Sequence, residues 1–289
     1  MNGPKNLWRS MLFVPANNND FVLKAHTRGA DAIILDLEDS VPPDQKEVAR
    51  NAVAAAVEHL RNHNVDVLVR INSEEELAMR DIGSIVGLRV SAIVVAKAET
   101  GTQISEISAQ LTRLETKNSN ASPISLIAQI ESVDALLHLD EIAKLPRVSA
   151  MTLGPEDFCA SAGMAPTPDG LLFPNQQILF ACRRAGITPL GFVGSIADYS
   201  DLEAFRVMVR RASAFGFEGA FCIHPNQVSI LNEELLPSPS VRQWAKDVVK
   251  AYEIAQAEGK GAMMYEGKMV DLPVIIRARR ILSLDDRGD

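Results

Sequence analysis

Eight short apolar runs, each separated from the next by a stretch of helical periodicity, restrict this chain to very few folds. The runs are Met11–Val14, Ala32–Leu37, Val67–Ile71, Ala92–Ala96, Ile124–Gln129, Ala150–Leu153, Pro189–Phe192 and Ala220–Ile223. Val48–Arg61 and Asp201–Phe215 are clear examples of the helical stretches between them. Apolar runs of this length, bounded by turn residues, read as strands buried on both faces. Strands alternating with helices pair in parallel through right-handed crossovers. Eight such units fit a closed α/β (β/α)8 barrel, a TIM barrel, better than an open sheet. The 289 residues, 47% of them apolar, supply enough chain and enough core for one large barrel.

The pattern changes at Pro237–Ser238–Pro239. Residues 1–236 are therefore assigned to the barrel and residues 237–289 to a C-terminal helical extension. Val241–Glu258 reads as a long helix ended by Gly259 and Gly261. Met263–Asp271 reads as an irregular or short β segment, and Pro273 opens a last helix to about Leu284. This tail carries an apolar face, so it either caps its own barrel or reaches a neighbouring subunit.

Polar residues stand near the C-terminal end of every strand candidate. They are Asn17 and Asn18, then Asp36, Glu38 and Asp39, then Arg70 and Asn72, then Lys97 and Glu99. Gln129 and Glu131 follow, then Glu156 and Asp157, then Ser195, and finally His224. In a barrel these ends share one rim, the rim that carries catalysis. Asp36, Glu38 and Asp39 repel one another unless a cation lies nearby. With Glu131 and Asp157 they make an oxygen-rich bowl suited to a hard ion such as Mg²⁺. The expectation is that Glu131 and Asp157 ligate the ion directly and Glu38 or Asp39 act through water. Asp36 and Glu38 should point the same way, with Asp39 opposite if the chain stays extended there. The alternative is that the acids only cap helices or pair with Arg and Lys.

Arg70 closes the apolar run Val67–Leu68–Val69. A guanidinium there needs an anion, either a substrate carboxylate or enolate oxygen, or Glu38 or Asp39. Lys97 could form a Schiff base only if its pKa fell, and the carboxylates around it argue the other way. His224 either shapes the rim, touches a substrate or makes a structural hydrogen bond. His26, His59, His63 and His138 fall in helical stretches read as exposed, without metal spacing.

The formal net charge of −8 argues against sequence-independent nucleic-acid binding. No phosphate-binding glycine loop, dinucleotide fingerprint, His-Glu-x-x-His or nucleophile elbow is present. Cys159, Cys182 and Cys222 are sparse and widely spaced, which reads as buried thiols in a reducing compartment. With no signal pattern and no run long enough to span a bilayer, the expected location is the cytoplasm.

Several stretches, in order, resemble the citrate lyase β-subunit-like family, with its malyl-CoA and citramalyl-CoA lyases. They are residues 9–15 (RSMLFVP), 29–42 (GADAIILDLEDSVP), 69–72 (VRIN), 129–132 (QIES), 153–157 (LGPED), 223–227 (IHPNQ) and 267–273 (GKMVDLP). The resemblance implies Mg²⁺ on Glu131 and Asp157, and Arg70 on a 2-oxo acid. It implies a homotrimer or hexamer in which Asp271 reaches the adjacent subunit's site as acid or base. It also implies coenzyme A contacts from Phe13 and Lys24 and, more loosely, Ile223 and His224. The substrates would be an acyl-CoA and a 2-oxo acid, joined and split reversibly as citramalyl-CoA, malyl-CoA or citryl-CoA. Asn18 stands where malyl-CoA lyases tend to carry an arginine for the CoA phosphates, and Ala16, Ala96 and Ala220 replace a usual Gly, Pro and Lys. Two alternatives therefore stay open: a CoA-independent aldolase or synthase on free acids, and a non-catalytic or carrier-dependent lyase subunit.

Overall fold

A computed structural model describes residues 8–118, 122–195 and 200–285. The chain forms two compact units that divide between Asn232 and Glu233. The first holds eight strands among the described residues: β1 (Ser10–Pro15), β2 (Ala32–Asp36), β3 (Asp66–Ile71), β4 (Ala92–Val95), β5 (Ser125–Ile130), β6 (Val148–Leu153), β7 (Thr188–Pro189) and β8 (Ala220–Cys222). All the pairings are parallel, in the order β7-β6-β5-β4-β3-β2-β1-β8. An isolated parallel bridge between Leu190 and Gly219 joins the two ends of that order. Hydrogen bonds from Gly191 N–H to the Gly219 carbonyl (2.8 Å) and from Glu218 N–H to the Pro189 carbonyl (3.1 Å) complete the barrel. A Cβ on Gly219 would stand 2.0 Å from the Trp8 carbonyl oxygen, so this closure requires glycine.

The helices are α1 (Asn19–Ala25), α2 (Lys46–Asn62), α3 (Glu75–Ile85), α4 (Gly101–Lys117), α5 (Leu139–Ala143), α6 (Pro155–Ala162), α7 (Pro168–Ala185), α8 (Leu202–Phe215) and α9 (Pro225–Glu234). Their apolar faces follow helical spacing. In α2 the buried positions are Ala49, Arg50, Val53, Ala56, Val57 and Leu60. Buried Arg50 is matched by buried Asp81, Nε to Oδ1 at 2.7 Å. Asp81 also accepts the Asn72 side-chain amide at 2.7 Å, so Asn72 serves the scaffold there.

The strands carry two apolar faces because each is covered on both sides. Met11, Ala32, Ile34, Leu68, Ala92, Val94, Ile127 and Ala150 form one cluster with Leu190 and Phe221. These are alternate positions of successive strands, so they fill the barrel interior. Ile33, Leu35, Val67, Val69 and Ile93, the intervening positions, are equally buried.

The seventh strand departs from the sequence reading, which placed it at Pro189–Phe192. It spans only Thr188–Pro189. Proline donates no hydrogen bond to the ladder, and Gly191 has φ 128°, outside the range of a strand.

The second unit contains α10 (Pro239–Ala257), a hairpin of β9 (Met263–Tyr265) and β10 (Lys268–Val270), and α11 (Leu272–Asp285). Ala245, Val248, Tyr252, Val270, Ile275 and Ala278 make its small core. The short β segment expected between Met263 and Asp271 is this hairpin. Met264, Met269, Leu272 and Ile276 of this unit are exposed.

Candidate active site

Side chains that line the barrel interior become polar where the strands end. Along β2 the inward series Ala32, Ile34 continues to Asp36. On β3 Leu68 is followed by Arg70. On β5 Ile127 leads to Gln129 and then to Glu131 just beyond the strand. The period of two that fills the core therefore aims these groups at one mouth. Register places Asp36 directly opposite Arg70 across β2 and β3.

Arg70 and Asp36 form a two-point pair, Nε to Oδ1 and Nη2 to Oδ2, both at 2.7 Å. The Arg70 Nη1 reaches Asp39 Oδ2 at 3.2 Å and Glu38 Oε2 at 3.3 Å. Burial alone would raise the Asp36 carboxyl, but the guanidinium, the Ser40 hydroxyl and the Glu38 N–H outweigh it and hold its pKa below the ordinary value. Burial likewise opposes the charge on Arg70, and Asp36, Glu38 and Asp39 reverse that effect, so its pKa is raised. The expected partner for Arg70, apart from a substrate, was Glu38 or Asp39. The structure adds Asp36 as the closest one. Asp39 does not point away from its neighbours, because β2 stops at Asp36 and the chain turns, with Val41 N–H bonded to the Glu38 carbonyl at 3.0 Å.

Glu131 is 4% exposed. Lys97 N–H donates to its Oε2 at 2.6 Å, and the Gln129 amide donates to its Oε1 at 2.8 Å. Burial pushes the Glu131 carboxyl up to about 7. The Lys97 N–H opposes that rise, the charges of Asp157 and Glu38 add to it, and Arg70 opposes it. Burial, the neighbouring Asp39 and the limited help of Arg70 and Lys97 leave Glu38 raised as well. Burial works against the Lys97 ammonium, yet Glu38, Asp39 and Glu131 together raise its pKa. Its Nζ lies 3.2 Å from Glu38 Oε1. A lysine held charged is a poor imine former, in line with the sequence argument against a Schiff base.

Gly154 continues the inward series of β6, after Ala150 and Thr152. A Cβ there would stand 2.5 Å from Glu131 Oε1 and 2.6 Å from its Cγ. The Gly154 φ is −91°, so glycine is needed for space and not for backbone conformation. Pro155 at the first position of α6 then starts the helix that carries Glu156 and Asp157 in its first turn. The Ser195 hydroxyl is bonded to Glu156 Oε1.

These groups open into a cavity of about 710 Å³. Arg70, Asp39, Glu131 and Asp157 lie in its polar part, and Phe13, Phe21 and Ile223 supply apolar surface. His224 lines it too, and its Nδ1 accepts the Asn226 N–H at 3.2 Å. Phe13 packs edge-on against Phe221 at 5.3 Å and lies 4.7 Å beneath the Arg70 guanidinium carbon.

Lys24 is exposed on α1, outside the residues that line this cavity, whereas Arg28, unremarked in the sequence, does line it. Arg28 lies in a short turn after α1 and ends no strand, so the strand-end criterion passes over it. Asn18 caps α1, its Oδ1 accepting the Phe21 N–H at 3.1 Å. Asp271 belongs to the second unit, where its carbonyl accepts the Ile275 N–H at the start of α11. The three cysteines are buried and free, and burial pushes the Cys182 thiol up to about 12 and raises those of Cys159 and Cys222, which disfavours the thiolate form.

Residues 9–225 match the HpcH/HpaI aldolase/citrate lyase family. The chain is 34% identical over 298 residues to an L-malyl-CoA/β-methylmalyl-CoA lyase of Cereibacter sphaeroides, covering 95% of this chain and 93% of that protein. It is 34% identical over 281 residues to the citrate lyase subunit β of Escherichia coli, covering 95% and 92%. Among solved structures it resembles CitE of Mycobacterium tuberculosis in complex with magnesium, acetoacetate and coenzyme A. That match has a TM-score of 0.77 and 29% identity, and covers 99% of this chain and 100% of that one.

Proposed function

Because this chain belongs to the HpcH/HpaI aldolase/citrate lyase family, we propose that it is a Mg²⁺-dependent carbon–carbon lyase that reversibly splits a 3-hydroxyacyl-CoA into acetyl-CoA and a 2-oxo acid. The observation that carries this reading is the arrangement of Glu131 and Asp157 with Arg70 in one cavity that also has an apolar wall. Glu131 and Asp157 fit a hard cation by donor type. The Glu131 carboxyl, buried and raised to about 7 by its surroundings, is a group that gains from a positive charge beside it.

A magnesium ion held by these two carboxylates would act as a Lewis acid toward the substrate's hydroxyl and carboxylate oxygens. Arg70 faces the same space. Its fork is held by Asp36, and its Nη1 shares the half-exposed Asp39, the partner a substrate carboxylate can most readily displace. In cleavage, the bond between the hydroxyl-bearing carbon and the carbon next to the thioester breaks. The hydroxyl gives its proton to solvent, which balances the proton taken up by the enolate, and becomes the carbonyl of the 2-oxo acid, whose charge Arg70 would offset. The electron pair of the broken bond leaves as the thioester enolate, which takes a proton. Asp271 is the proposed donor in this direction, and the base toward acetyl-CoA in the other. Phe13, Ile223 and His224 would receive the thioester portion, with Lys24 and the cavity-lining Arg28, both exposed, as cations for its phosphates.

The second unit supports an oligomer. Its exposed Met264, Met269, Leu272 and Ile276 offer apolar surface around Asp271 in sequence, as a tail packed on a neighbour would need. We assign a homotrimer or hexamer in which Asp271 completes the neighbour's site. Three reduced, buried cysteines suit the cytoplasm.

The direct test is incubation of purified protein with citramalyl-CoA and with malyl-CoA, with MgCl₂ or with EDTA, following the release of acetyl-CoA. Turnover with Mg²⁺ alone supports the reading, and equal turnover in EDTA ends the metal assignment. Asn18 is committed to capping α1, and this favours a second reading on free acids without CoA. Condensation of acetate, as well as acetyl-CoA, with pyruvate would support it.

Two further outcomes follow from the Glu131 environment. An ion competes with the proton for this carboxylate, so Mg²⁺ affinity should fall about tenfold per pH unit below about 7 and level off above it. Calorimetric titrations at three pH values check this, and a flat profile would show that Glu131 is not a ligand. Gly154→Ala should move the Glu131 carboxylate, weaken Mg²⁺ binding about tenfold to a hundredfold and lower the thermal midpoint by a few degrees. Unchanged affinity in that variant would mean that Glu131 has room to yield.

A further inference from the structure

Away from the cavity, three histidines come together: His26 just after α1, and His59 and His63 at the end of α2. Their ligand nitrogens all lie within 4.8 Å of one another. Ring centroids are 3.9 Å apart for His26 and His63, 4.6 Å for His59 and His63, and 5.2 Å for His26 and His59. His59 and His63 are four residues apart and so share one side of the helix. Both lead towards β3 and His26 towards β2, which puts the group by the strand starts, away from the mouth where those strands end.

Hydrogen bonds to backbone carbonyls fix the tautomers of two of these rings. The His59 Nε2–H donates to the Leu23 carbonyl at 3.2 Å, and the His63 Nδ1–H donates to the His59 carbonyl at 2.9 Å. This leaves His59 Nδ1 and His63 Nε2 as acceptors, the arrangement that metal-binding imidazoles take when a carbonyl holds their other nitrogen. His26 Nδ1 is inaccessible to water and, among the described residues, has no hydrogen bond of good geometry. A polar atom left so is uncommon and costs stability unless something else satisfies it. Burial, followed by the charges of His63 and His59, lowers the His26 pKa against a hydrogen-bonding interaction with the Leu23 backbone, and favours its neutral form, the form that ligates.

We propose that His26, His59 and His63 form a second metal site, selective for a borderline transition-metal cation such as Zn²⁺ over the hard Mg²⁺. Three imidazoles with a solvent molecule in the fourth position are a familiar donor set for zinc, and nitrogen donors disfavour magnesium. An ion there clamps α1 to α2. The site stands independently of the proposed lyase reaction.

The test uses tag-free, full-length protein, with ZnCl₂ as the probe and excess MgCl₂ present throughout. The titration is run on the parent chain and on Glu131→Gln, which removes one acid from the cavity. One equivalent of Zn²⁺ should bind in both. His59→Gln and His63→Gln, each made separately in the Glu131→Gln chain, should weaken that binding at least tenfold. His63 is exposed, so its substitution leaves the fold intact, and circular dichroism verifies this. With Cu²⁺ as a second probe, electron paramagnetic resonance should show coupling to imidazole nitrogens that diminishes in either variant. Unchanged Zn²⁺ isotherms and unchanged nitrogen coupling in both histidine variants would overturn the proposal.

Discussion

Glu131→Gln is expected to lower turnover by about three orders of magnitude while making the metal-free protein more stable at pH 8. The loss follows from the proposed role, since a Lewis acid contributes several kcal/mol to stabilising charge in a transition state. The gain follows from the pKa. A carboxyl raised to about 7 in the fold, from an ordinary value of 4.5, contributes stability that is fully present below pH 4.5 and lost as pH rises through 7. Ionising it in the fold therefore costs about 3 kcal/mol above pH 7, before any cation is bound. Glutamine keeps the shape and removes the charge. Its new amide N–H₂ needs an acceptor, and one is ready: Gln129 Oε1 is buried without a partner among the described residues, and a flip of the Gln129 amide can present its oxygen. Mg²⁺ should stabilise the parent chain and have little effect on the variant. Steady-state rates and unfolding midpoints at pH 8, in EDTA and in MgCl₂, measure both effects. A variant that retains more than a tenth of the parent turnover would remove Glu131 from the chemistry. A variant less stable than the parent in EDTA would refute the electrostatic account.

The elements were legible in the sequence wherever local pattern decides structure. Apolar runs such as 32–36 and 67–71 carry their own signal, because strands covered on both faces have few polar positions to confuse it. Pro189 and Gly191 broke the seventh run, and its place in the barrel depends on pairing with Met151 and Gly219, distant in sequence. The rim residues were found because they end strands. Their pairings were only partly found. That Arg70 engages Asp36 first follows from register between β2 and β3, and register is not local information. The histidine group shows the same limit. The sequence reading took His26, His59 and His63 as exposed and without metal spacing, whereas the turn after α1 brings His26 beside the other two and leaves only His63 exposed. Gly154 is the converse case: the sequence motif contained it, and the spatial contact with Glu131 explains why no larger residue suits.

Arg70→Ala should damage both stability and turnover, and comparison with Arg70→Lys should separate the two. The alanine variant leaves Asp36, 1% exposed, and Glu38, 4% exposed, as buried acids without their guanidinium. Breaking a buried ion pair in this way typically costs about 3–5 kcal/mol. The Asp36 charge is retained in part by Ser40 and the Glu38 N–H, whereas Glu38, whose pKa is already raised in the parent, keeps Lys97, the Ser73 hydroxyl and the Asp39 N–H. Glu38 is therefore the acid expected to take up a proton first in the variant. Lysine restores one positive charge and recovers part of the stability, but it cannot hold both Asp36 oxygens and still face the cavity. Its turnover should stay at least a hundredfold below the parent, because an ammonium that pairs with Asp36 has no counterpart of Nη1 to hold the oxo acid beside the metal. Urea midpoints give the stability ranking, parent above lysine above alanine. Pyruvate titrations in MgCl₂ give the binding ranking, in which both variants should be weak. If Arg70→Lys were to bind pyruvate as tightly as the parent, Arg70 would be a support for the acidic strand end alone. The oxo acid would then have to be held by other groups of the cavity.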